Sequence, residues 1–135
     1  VEVFIFLLVC SLLVPLSMII LGKRWENNPP EDINGLSGYR TTMSRLNKDT
    51  WSYAHKYWGK INFCIGVILA VISSAFVLYI QGRPDFETLI VYLVFTQIAI
   101  MALTIIPTEI KLNNVFTKEG YRNQKNESRF AEPKN

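Results

Sequence analysis

Few side chains in this sequence could do chemistry, and their spacing limits what that chemistry is. His55 is the only histidine in 135 residues, and no second His, Cys pair or carboxylate stands from it at metal-ligand spacing, so no metal centre is expected. Arg40 is flanked by the hydroxyls of Thr41, Thr42 and Ser44. Its planar fork could clamp an anion or a carboxylate, and lipid phosphate or Glu109 would satisfy it equally well. No Ser-His-Asp order, paired carboxylates in a membrane cavity or phosphate-cradling Gly loop can be assembled. The expectation is a protein without catalytic residues or cofactor, whose polar groups hold something rather than convert it.

The elements that must position these groups are membrane helices. Charge is partitioned: 3–22, 61–82 and 88–108 contain no Asp, Glu, Lys or Arg, and all 14 Lys+Arg and 11 Asp+Glu lie elsewhere. At about 1.5 Å rise per residue each stretch reaches roughly 30 Å, the thickness of a bilayer's hydrocarbon core. This excludes a soluble domain, and a membrane barrel would alternate apolar and polar residues instead. The expected fold is an all-α membrane protein, one domain over 1–135: transmembrane helix 1 about 3–22, a loop 23–60, helix 2 about 61–82, helix 3 about 88–108, and a tail 109–135. The first segment has no positive n-region and no small-residue cleavage site, which reads as a retained helix rather than a secretory signal. Seven Lys and Arg precede helix 2, one lies between helices 2 and 3, and six follow helix 3. The positive-inside rule then puts the loop and tail in the cytoplasm and the N-terminus outside.

Within the bilayer, Gly66, Ala70 and Ser74 recur every fourth residue, a small-residue seam where a second helix, of this chain or of another copy, can approach closely. Ser11, Ser73 and Gln97 share one depth, roughly 16 to 18 Å from the cytoplasmic end of each helix. A carboxamide there needs partners, and neighbouring hydroxyls are the candidates. Pro15 removes one helical hydrogen bond and should bend helix 1. Cys10 and Cys64 lie at depths too different to be bridged. With no charged residue in the spans, a transport path is disfavoured.

The loop carries the specific information. Pro29-Pro30, Asn34-Gly35 and Ser37-Gly38 make its first half turn-rich. Asn47 is a good helix N-cap, with Asp49 placed in the first turn. Trp51, Ala54, His55 and Trp58 follow at i, i+3, i+4 and i+7, the stripe of an amphipathic cytoplasmic helix expected to lie along the inner leaflet and bend at Gly59 into helix 2. Its basic residues alternate with Glu26, Glu31, Asp32 and Asp49, so nucleic acid is a poor partner and membrane lipids a natural one.

The segment INGLSGYRTTMSRLNKDTWSYAHKYWGK resembles the signature of the SdpI/YfhL family of small bacterial membrane proteins: Gly38, Arg40 and Thr41, then Asn47, Trp51 and His55 before a helix that enters the membrane. EIKLNNVFTKEGYRN resembles the segment after that family's last helix, through Leu112, Phe116 and Gly120. One helix ahead of the loop makes the chain similar to the short, YfhL-like form. The resemblance implies the bacterial cytoplasmic membrane, immunity of a producing cell to a secreted antimicrobial peptide, and signalling by holding a cytoplasmic repressor at the membrane. It places partner binding on Gly38, Arg40, Thr41, Ser44, Asn47, Trp51 and His55, with Gly66, Ala70, Ser74 and Gln97 left to helix packing. The competing expectation is an accessory subunit of a larger membrane complex, or a homo-oligomer.

Overall fold

The computed structural model describes residues 1–123; the expected tail beyond residue 123 lies outside them. The described chain forms α1 (Glu2–Asn27), α2 (Lys48–Ile80), α3 (Phe86–Leu103) and α4 (Ile105–Val115). Three stretches, Glu2–Asn27, Lys48–Ile80 and Phe86–Val115, are long and apolar enough to cross a membrane. A single antiparallel bridge, Phe116 with Arg122, closes a small hairpin after α4. Outward faces such as Phe6, Val71 and Phe95 are exposed and apolar, as lipid requires.

α1 lies along α2 through its buried residues Ser11, Pro15, Met18 and Gly22. The approach is tightest where two glycines meet. A Cβ on Gly22 would stand 2.6 Å from the Gly59 carbonyl oxygen, and one on Gly59 would stand 2.5 Å from the Gly22 carbonyl oxygen. One on Gly66 would stand 3.0 Å from the Pro15 carbonyl oxygen. The seam on α2 therefore runs through Gly59, Asn62, Gly66 and Ser73, all buried, while Ala70 and Ser74 are only half-buried. Ser74 spends its hydroxyl on the Ala70 carbonyl one turn back, at 2.8 Å.

The separate amphipathic helix does not form. Lys48 to Ile80 is one helix, unbroken at Gly59, because the close passage of α1 occupies that glycine. The Trp51-Ala54-His55-Trp58 stripe faces protein rather than a leaflet: Trp25, near the end of α1, packs against His55 at 5.4 Å and Trp58 at 5.1 Å between ring centroids.

Mid-bundle, Pro15 and Gln97 complement each other. Proline has no N–H, so the carbonyl four residues back, that of Ser11, lacks its helical donor. Gln97 Nε2 supplies it, donating to Ser11 O at 2.9 Å and to Ser73 Oγ at 2.7 Å. The hydroxyl of Ser11 instead donates to its own helix, at Leu8 O. Gln97→Leu is expected to lower stability in detergent by about 1 kcal/mol, in the range of interhelical hydrogen bonds in membranes. In a Pro15→Ala background, where residue 15 can donate to Ser11 O, the same substitution should cost measurably less. Equal costs in the two backgrounds, from thermal melts of the four variants, would show that the proline-freed carbonyl plays no part.

The third charge-free stretch is divided near its end. Pro107 removes the donor for the Leu103 carbonyl, and the helix is interrupted at Thr104 between α3 and α4. Thr104 Oγ1 donates to Met101 O at 2.6 Å and accepts from Trp58 Nε1 at 3.0 Å. The interruption thus ties the third helix to the start of α2.

Candidate functional site

The loop between α1 and α2 folds against the first turns of α2, α4 and the hairpin. Asn47 caps α2: its side chain accepts from Thr50 N at 2.9 Å, and Thr50 Oγ1 accepts from Asn47 N at 3.1 Å, a reciprocal capping box. The Asn47 amide also donates to Gly120 O at 2.8 Å. Asp49 holds Arg122 through two bonds, 2.9 and 3.0 Å. The hairpin is thereby fastened to the cap.

Upstream, Ser44 and Thr41 bond reciprocally, Thr41 N to Ser44 Oγ at 2.9 Å and Ser44 N to Thr41 Oγ1 at 3.2 Å. Ser44 Oγ also donates to Tyr39 O at 2.9 Å. His55 uses both ring nitrogens: Nε2 accepts from Tyr39 N at 2.8 Å, and Nδ1 lies 2.8 Å from the Trp51 carbonyl. A carbonyl on one side and an N–H on the other fix the ring as neutral, protonated on Nδ1. Gly38 makes this approach possible, with φ +119° and a position where a Cβ would stand 2.6 Å from His55 Nε2. Trp51 is buried, its indole N–H donated to Pro30 O.

Tyr39, not singled out from the sequence, is the keystone of this loop. Its ring is buried in a cluster with Ala54, Leu112 and Phe116, and its hydroxyl donates to Glu109 Oε1 at 2.7 Å. Burial first, then the hydrogen bond to Glu109 and its charge, push the phenol well above its ordinary range, so it remains a donor. Glu109 is therefore met by Tyr39, and no bond or ion pair joins it to Arg40. The only sequence signal for Tyr39 was its place between Gly38 and Arg40. Asn62 was also unforeseen.

The motif thus divides by direction. Gly38, Thr41, Ser44, Asn47, Trp51 and His55 point inward, spent on the loop and the cap. Arg40 points outward and is exposed, without a hydrogen bond or ion pair among the described residues. Nor do three His, Cys, Asp or Glu side chains among the described residues converge in a way that could hold a metal ion.

The model of the SdpI/YfhL protein family matches residues 31–108, more than half of the chain. The chain belongs to that family. The match opens at Glu31 and so takes in the clamped loop, its helix cap, the Gly66 face of α2 and Gln97, whereas α1, Glu109 and the hairpin of this SdpI/YfhL protein lie outside the matched residues. No curated protein and no solved structure matches the chain.

Proposed function

We propose that this SdpI/YfhL protein binds a protein or peptide partner through the loop face that carries Arg40, serving immunity against a secreted antimicrobial peptide, membrane signalling through a cytoplasmic partner such as a repressor, or both. One observation carries the reading: Arg40 is an exposed guanidinium with no described partner, set between Tyr39 and Thr41, whose backbones are fixed by His55 and Ser44. With the backbone held on both sides of it, Arg40 has only side-chain freedom to lose when its fork grips a carboxylate, and Arg is favoured at binding hot spots. Arg40→Ala is expected to leave the melting temperature and membrane level within about 0.5 kcal/mol of wild type while abolishing protection of a sensitive host or recruitment of a repressor. If it instead destabilises as much as Trp51→Ala, the loop is a structural clamp, and an accessory subunit of a larger complex becomes the better reading.

The same proposal sets the loop and hairpin in the cytoplasm of a bacterial cell, with the N-terminus outside, supported by the uneven Lys and Arg distribution. Single cysteines at Asp85 and Glu119, in a chain lacking Cys10 and Cys64, would report it. An impermeant thiol reagent on intact cells should label position 85 and spare position 119. The reverse pattern would turn the Arg40 face outward.

A further inference from the structure

A cleft of about 680 Å3 opens between the last turns of α1 and the loop that follows, lined among others by Leu21, Arg24, Trp25, Pro30, Glu31 and Gly38. Its depth is set by sequence: Gly22 ends the first charge-free stretch, and Arg24 lies roughly 3 Å beyond it along the helix. That is the junction of acyl chains and headgroups, with Leu21 on the apolar side and Trp25 at the level where indoles concentrate. Lys23, next door, is paired with Glu26 at 3.8 Å. Arg24 and Glu31 have no ion pair among the described residues, so the cleft presents one unspent cation and one unspent anion.

We propose that this cleft holds the headgroup of a zwitterionic aminophospholipid, its phosphate on Arg24 and its primary ammonium between the Glu31 carboxylate and the Trp25 ring. The chemistry matches charge for charge. Guanidinium binds phosphate oxygens through parallel N–H bonds, and an ammonium is attracted both to a carboxylate and to an indole face. An anionic glycerol headgroup would leave Glu31 without a counter-charge. A trimethylated choline would offer it no N–H. The site is independent of the partner-binding reading, since Arg40 does not line it.

The test is mass spectrometry of the intact full-length chain released from detergent with phosphatidylethanolamine, phosphatidylglycerol and phosphatidylcholine at equal concentration. Retention of phosphatidylethanolamine is expected to exceed that of the other two. Arg24→Ala should cut it about tenfold, equivalent to 1.4 kcal/mol. Glu31→Gln, at an exposed loop position that leaves the helices untouched, should abolish the preference over phosphatidylglycerol. Equal retention of all three lipids, or unchanged retention in both variants, overturns the proposal. So does displacement of the lipid by soluble glycerophosphoethanolamine at equal concentration, which would assign the cleft to a free phosphate ester instead.

Discussion

Gly22→Val is expected to destabilise the protein by about 3 kcal/mol or more, at the upper end of what overpacking costs. The atoms in the way are backbone: a Cβ on Gly22 meets the Gly59 carbonyl oxygen at 2.6 Å and the Phe63 nitrogen at 2.7 Å. A side chain can turn aside, whereas these atoms belong to the helix itself. α1 would have to move off α2 and lose the fit at Gly66 as well. Ala70→Val, at a half-buried position, serves as the comparison and should cost less than about 1 kcal/mol. Melting followed by tryptophan fluorescence in detergent decides it, and equal melting of the two variants would mean that the glycine contact does not hold the helices together.

Gly38→Ala is the second large effect, about 2 to 4 kcal/mol from two sources. A φ of +119° costs a residue with a Cβ about 1 to 3 kcal/mol. Displacing His55 also leaves the buried Tyr39 N–H without its acceptor, about 1 to 3 kcal/mol more, though partial relaxation keeps the total below the sum. Melting followed by tryptophan fluorescence in detergent reads the effect, and a Gly38→Ala variant that melts with wild type would contradict the clamp of the Tyr39 N–H on His55.

The three helices were legible because charge is excluded from a bilayer core more strictly than any local propensity acts. For Gln97 the depth count identified Ser73 as a partner; it missed that Ser11 contributes its carbonyl, since the consequence of Pro15 falls four residues upstream and on another helix's side chain. Gly22 and Gly59 read as a helix end and a bend, because a lone glycine near a boundary carries no sign of what lies opposite. The four-residue spacing of Gly66, Ala70 and Ser74 pointed to Gly66, whereas the seam follows 3.6-residue geometry and drifts to Asn62 and Ser73. In the loop, Arg40 drew notice through its charge. Tyr39 did not, since nothing local indicates that a tyrosine will reach a glutamate 70 positions away.

The docking of the hairpin on the cap of α2 bears on the order in which the protein can be completed during synthesis. Asn47 waits for Gly120 and Asp49 for Arg122, each 73 positions later. At 5 to 20 residues per second that interval is roughly 4 to 15 s of translation. Meanwhile α2 and the loop must already be at the membrane with Asn47 donating to water, and with Tyr39 lacking Glu109. A chain that stops before residue 120 therefore leaves Asn47 and Asp49 without their final partners, however many helices are already inserted. The loop that carries Arg40 reaches its finished form only once the hairpin has been made, after all three apolar stretches have been synthesised.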